Sequence, residues 1–199
     1  MCGIVCSVTN RAEQQSPAES YPVTLHGNGI GIEERLKNIH ESLSAIEHRG
    51  PDGNNVWVDP SETVILGHCR LGLNDVNGGI QPISNEDHTI SIIVNGEFYG
   101  FKEIRDDLIA KGHTFKTNSD SEIALHLYEE HGDSFLQHLR GEFAIVICDT
   151  NKSRVLVARD RMGVKPVYYT TSSTGNFYCA SEIKALVGLG TLSAPHLKV

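Results

Sequence analysis

The second residue of the chain is a cysteine, in the run Met1-Cys2-Gly3-Ile4-Val5. Once Met1 is removed, Cys2 carries a thiol and a free α-amine on one residue. A free thiol titrates near ~8.5 and an α-amine near ~7.7–8, so at neutral pH both lie within about a unit or so of losing a proton. The amine can take the thiol's proton, directly or through a water, and later hand it to a leaving group. This chemistry needs the cysteine at the mature N-terminus and a strand that draws that terminus into the fold, and Ile4-Val5 begins such a strand. By residue type alone, an incidental cysteine is an equal reading.

Other short stretches hold groups of matching chemistry. In VNGEFYG (94–100), Asn95-Gly96 at the end of a strand offers a side-chain amide and a backbone N–H, the parts of an oxyanion hole; an ordinary Asn-Gly hairpin turn uses the same two residues. In HCRLGL (68–73), Arg70 sits inside an apolar strand, where its charge needs a carboxylate partner, from a substrate or from the protein itself. In TNSDSE (117–122), Asp120 stands just inside a helix start, a place that helix electrostatics explains and that a ligand ammonium could also use. HRGPDG (48–53) and RDRMGVKP (159–166) are dense in turn residues and charge and read as loop and ion-pair scaffolding.

The ten histidines show no metal-ligand spacing; His126 and His131 are five apart, and no HExxH occurs. No phosphate-binding glycine loop is present. A net charge of −8 without a basic run argues against a nucleic-acid partner. No stretch approaches the ~18 apolar residues that span a bilayer, and no signal peptide is apparent. Five cysteines, an odd number without a CxxC, suggest reduced thiols in a cytoplasmic setting, with Cys6, Cys69, Cys148 and Cys179 buried in apolar runs.

The elements that must position these groups follow from periodicity. Residues 4–8 read as a strand and 9–31 as a long polar surface loop. A helix covers 33–48, with Leu36, Ile39, Leu43 and Ile46 on one face. Strands follow near 56–58, 63–69 and 89–95, then a helix over 101–112. Ser119 and Glu122 form a capping box for the next helix, 121–132, and a shorter helix covers 133–139. Strand pairs 143–149 with 154–160 and 167–171 with 177–181 are hairpins, and a short helix over 182–189 precedes an unpatterned tail, 191–199. Strands in hairpins with helices grouped between them indicate an α+β architecture with antiparallel sheets in one domain, 2–190.

In order and content, MCGIV, HRGPDG, HCRL, VNGEFY, SDSE, RGEFAIVICD, RDRMGVKPVYY and ASEIKAL resemble the glutaminase domain of the class II glutamine amidotransferases, most of all the asparagine synthetase branch. The resemblance runs from Cys2 to about Leu186. It implies an N-terminal-nucleophile fold, a four-layer αββα sandwich of two antiparallel sheets between helix layers. It implies Cys2 as nucleophile with its α-amine as base, Asn95 and Gly96 stabilising the oxyanion, Arg70 on the glutamine α-carboxylate, and Asp120 on its α-ammonium with Glu97 close by. The activity implied is hydrolysis of glutamine to glutamate and ammonia, passed to an ATP-dependent synthetase domain or subunit. No cofactor or metal is expected for this domain; ATP and Mg²⁺ belong to the synthetase half, whose SGGxDS-type loop does not occur in these residues. A second copy of the chain is a further candidate partner.

Against the family pattern, Gly100 replaces a usual Asn, Asn118 a frequent Gly, Gly72-Leu73-Asn74 a small-aliphatic run, and the 9–31 loop is long. Three alternatives stay open: the glutaminase unit of another amidotransferase, a related N-terminal-nucleophile hydrolase acting on a different amide, and a catalytically silent module that binds a ligand or partner.

Overall fold

The computed structural model describes residues 1–9, 31–72 and 78–190. Most of the loop expected over 9–31, the pair Leu73-Asn74 and the tail 191–199 lie outside the described residues. In chain order the elements are β1 (Gly3–Val8), α1 (Ile32–Ala45), β2 (Asn54–Val58), β3 (Val64–Cys69), β4 (Ile83–Ser84), β5 (Ile90–Phe98), α2 (Phe101–Ala110), α3 (Glu122–His131), β6 (Gly141–Asp149), β7 (Arg154–Arg159), β8 (Tyr168–Thr171), β9 (Phe177–Ala180) and α4 (Ile183–Gly188). Two antiparallel sheets result, ordered β2-β3-β1-β9-β8 and β4-β5-β6-β7.

The period of two along each strand builds the layers. In β5, Ile92 and Val94 pack with Leu108, Ile123 and Leu127 of α2 and α3. Ile93, between them, faces the other way and meets Ile4, Leu66 and Val146. In β1, Val5 packs under Ile39 and Leu43 of α1 and Leu186 of α4, while Ile4 and Cys6 turn inward between the sheets. Both faces of both sheets are therefore covered, as helix–sheet–sheet–helix, the expected α+β class and sandwich. Near-continuous burial of β5 and β6 explains why they read as unbroken apolar runs rather than alternating ones. Cys6, Cys69, Cys148 and Cys179 are buried and unpaired.

The structure departs from the sequence expectations in local detail. β5 does not end at Asn95-Gly96 and no hairpin turn forms there. The strand continues to Phe98, because its ladder with β6 runs on through Asn95↔Ala144, Gly96↔Phe143 and Glu97↔Glu142. The expected capping box does not form either. The Glu122 carboxylate turns away from its helix to accept the N–H groups of Lys116 and Thr117, each at 2.7 Å. Ser119 Oγ accepts the N–H of Ser121 instead, at 3.2 Å. The helix expected over 133–139 is a 3₁₀ helix, Gly132–His138, and not an α-helix, with Leu139 already extended. Strand β4, only two residues long, is too short to leave a periodic signal.

Ile93 is fully buried where the sheets meet, so Ile93→Ala should remove about 2–5 kcal/mol of stability. Urea unfolding followed by far-UV circular dichroism measures it, and a loss below about 1 kcal/mol would contradict the packing described.

Candidate active site

Ile93, Asn95 and Glu97 alternate onto the strand face that meets the first sheet, so the apolar inter-sheet layer turns polar at one end. A cavity of about 230 Å³ opens there, and Cys2, Arg70, Asn95, Gly96, Glu97 and Asp120 all line it. All six residues singled out from the sequence are thus brought together across 118 positions of chain.

Cys2 arrives because β1 is paired on both sides, with β3 from Gly3↔Cys69 and with β9 from Val5↔Ala180. The first of these pairings sets Cys2 beside the turn after β3, where the Leu71 N–H lies 3.4 Å from Sγ. Arg49 Nε donates to the Cys2 carbonyl at 3.0 Å, and Arg49 Nη1 is ion-paired to Glu182 at 3.1 Å. HRGPDG is thus ion-pair scaffolding, as expected, and what it holds is the N-terminus. Gly50 is required there, since a Cβ would stand 2.4 Å from the Cys69 backbone. Burial pulls the terminal amine, on Met1, below its ordinary pKa, with the charges of Arg49 and Lys165 pushing the same way against Cys2. Burial pushes other thiols up, Cys69 to about 11 and Cys148 to about 12, which keeps them protonated at neutral pH.

The Asn95 side chain is buried, yet neither its Nδ2 nor its Oδ1 has a hydrogen-bond partner. A buried amide without partners costs ~1–3 kcal/mol, so its placement in the cavity wall is a reserve of unused donor and acceptor capacity. Phe143, opposite Gly96, donates its N–H to Asp160 Oδ2 and accepts the Asp160 N–H at its carbonyl, both on the β7 side. The peptide groups of Gly96 consequently face away from β6, to the same side as those of Val94, whose N–H is taken by Gln81 Oε1 at 2.6 Å. A side chain at Gly96 would collide with the Glu142 carbonyl at 2.4 Å.

Arg70 lies just past the end of β3, half-buried, and not inside the strand as expected. Asp120 is likewise not inside α3 but ahead of it, in the turn before Ser121. Its Oδ2 accepts the Phe98 N–H at 2.7 Å, which locks the carboxylate against the end of β5. Glu97 stands directly opposite Glu142, a like-charge pair that Lys165 offsets by bonding Glu142 at 2.7 Å.

Lys165, Glu142 and His68 line the cavity but carried no signal in sequence. Lys165 comes from RDRMGVKP, whose Asp160 accepts the N–H groups of Met162, Val164 and Lys165 at 2.9–3.1 Å. The block is scaffolding that delivers one cation to the site. His68 is fully buried, its Nε2 donating to the Val94 carbonyl at 3.2 Å and its Nδ1 without a partner.

The pattern described as "Glutamine amidotransferase domain" matches residues 1–196. A probable glutamine-hydrolysing asparagine synthetase of Dictyostelium discoideum is 40% identical over 187 residues, 94% of this chain and 30% of that protein. Amidase chry2 of Gibberella zeae is 39% identical over 96% of this chain and 27% of its own length. Glutamine-hydrolysing asparagine synthetase 3 of Arabidopsis thaliana is 42% identical over 76% of this chain and 26% of its own length. The chain thus spans less than a third of these relatives. Among solved structures, the glutamine phosphoribosylpyrophosphate amidotransferase of B. subtilis superposes with a TM-score of 0.66 at 19% identity, over 96% of this chain and 44% of that one, which shows a shared fold.

Burial, reinforced by the Arg70 charge and opposed by the bond to Val94, lowers the His68 pKa to about 4. Protonation is therefore resisted in the fold but free, near pH ~6.5, in the unfolded chain. Stability should be full above that pH and fall as pH drops from there to about 4, by up to about 3 kcal/mol. Unfolding titrations from pH 4 to 7 should show His68→Gln losing that slope; equal slopes for the two proteins would exclude a buried neutral His68.

Proposed function

Since the chain belongs to the glutamine amidotransferase domain family, a family of enzymes whose similar members here include asparagine synthetases, we propose that its cavity hydrolyses glutamine through Cys2. The observation that carries this reading is the convergence of an N-terminal thiol with the unsatisfied buried amide of Asn95 in one polar cavity.

With Met1 removed, the Cys2 amine takes the thiol proton and Sγ attacks the side-chain amide carbon of glutamine. The carbonyl oxygen becomes an oxyanion held by Asn95 Nδ2 and the Gly96 N–H. Collapse returns the proton to the leaving nitrogen and releases ammonia. Water, deprotonated by the same amine, then splits the Cys2 thioester to glutamate. Arg70 binds the substrate α-carboxylate, and Asp120, beside Glu97, binds the α-ammonium. Only the chain's own groups and water take part; ATP and Mg²⁺ serve the amidation step that consumes the ammonia. That step is assigned to an asparagine-synthetase-type domain or subunit, for which the relatives, more than three times longer than the matched region, give the support. The relative named an amidase favours a second reading, in which the same cavity hydrolyses an amide other than glutamine.

Peptide mapping by mass spectrometry after treatment with an electrophilic glutamine analogue tests the nucleophile. A single adduct on an N-terminal Cys2, blocked by excess glutamine and absent in Cys2→Ala, is expected. A processed Cys2 without adduct would leave a binding module instead of an enzyme.

Two substitutions should split the kinetics. Asn95→Ala should lower kcat by roughly 10²–10³, the cost of losing an oxyanion donor. Arg70→Ala should raise KM far more than it lowers kcat, as loss of uniform substrate binding does. The opposite pattern in glutamate-release assays would reverse the two assignments.

A further inference from the structure

Away from the Cys2 cavity, three chain segments meet around two imidazoles. Glu86 comes from the turn between β4 and β5, His113 from the connection between α2 and α3, and His126 from the middle of α3. One ligand-type atom of each lies within 4.8 Å of the others. Glu129, one helical turn beyond His126, completes the group: its Oε2 is 2.7 Å from His126 Nδ1 and 3.5 Å from His113 Nδ1. Around a tetrahedral Zn²⁺ with bonds of ~2.0–2.1 Å, neighbouring ligand atoms stand roughly 3.4 Å apart. Two of the spacings bracket that value already, and those among Glu86, His113 and His126 lie within 4.8 Å.

We propose that Glu86, His113, His126 and Glu129 form a binding site for a divalent transition ion of the Zn²⁺ type. Two imidazoles, neutral once the ion has displaced the proton that His126 shares with its carboxylate partners, and two carboxylates match the borderline donor preference of such an ion and neutralise its double charge.

An independent feature is the far side of the His126 ring. His126 is almost fully buried, and its Nε2 has no hydrogen-bond partner. Behind it, at 3.7 Å, stands Oε1 of Glu122, a buried carboxylate fixed by the N–H groups of Lys116 and Thr117. A histidine that gives Nδ1 to a metal needs an acceptor for its Nε2–H, and a fixed carboxylate in that place is the usual outer-shell partner. The ring is further oriented by His113 and Phe115, with centroids at 4.8 and 4.6 Å. Glu86 and His113 are tethered as well, Glu86 Oε1 accepting the Thr114 N–H at 2.8 Å and His113 Nε2 meeting Glu130 Oε1 at 3.1 Å. The nearby Lys116 ammonium is spent on the Ser84 and Asn85 carbonyls.

Because the thiol of Cys2 also takes zinc, the test uses the Cys2→Ser chain, stripped with chelator and titrated with Zn²⁺ by calorimetry. One ion per chain should bind with a Kd at or below about 10 μM, about 7 kcal/mol or more. His113→Asn and the exposed-site Glu86→Gln should each weaken binding at least about tenfold, the least that losing even an outer-shell partner costs. Zn²⁺ should also raise the melting temperature of the Cys2→Ser chain and lose that effect in both variants. Glu86→Gln removes no core contact, so its metal-free melting temperature should be unchanged. Absence of saturable binding, or binding untouched by both substitutions, overturns the proposal.

Discussion

The double-sided hydrogen-bond ladder around β1 is the constraint on which the site depends. A strand at a chain end is ordinarily an edge or a frayed tail, but here it lies between β3 and β9, with Ile4, Val5 and Cys6 fully buried. Backbone pairing leaves its register no freedom, because a slip of one residue would turn Ile4 and Cys6 out of the inter-sheet layer. Cys2 is thereby fixed next to Leu71, on the cavity that Asn95 also lines. Arg49 and Glu182 lock the same position from below the sheet end, using charge where the ladder has run out.

The second sheet contributes through its close strand contacts. Gly96 and Gly141 stand where a Cβ would meet the Glu142 and Glu97 carbonyls at 2.4 and 2.0 Å. Glycine at both places lets β5 and β6 stay paired through the cavity wall, so Asn95 and Glu97 sit on a rigid ladder instead of a loop. One of the two facing glutamates is met by Lys165, and Asp120 is held on a backbone N–H.

Amphipathic period and apolar runs made the antiparallel α+β class legible, and residue chemistry singled out Cys2, Arg70, Asn95, Gly96 and Asp120, because these are local properties; the layer order, Glu97 and the convergence of the six came from the family resemblance. Register is not local, and the misreadings share that cause. Asn95-Gly96 looked like a turn since only the partner strand shows that β5 continues. Ser119 and Glu122 had the spacing of a capping box, but Glu122 was drawn to the N–H groups of Lys116 and Thr117, donors whose position depends on how α2 leads into α3. Glu142, Lys165 and His68 join the cavity through pairing and a loop return that no window of sequence contains. The Glu86, His113 and His126 cluster is the extreme case, three segments with no spacing rule between them.

The placement of β1 also orders events during synthesis. Its two neighbours are made later, β3 about 60 residues on and β9 about 170. At ribosomal rates of ~5–20 residues per second, the first strand waits on the order of ten seconds or more for its second partner. Until then β1 has β3 alone beside it. Afterwards Cys2 is half-buried, with its carbonyl bonded to Arg49. Cys2 therefore gains its second clamp only when the last strand has formed, long after the residue itself is made, while Met1 stays exposed even in the closed sheet.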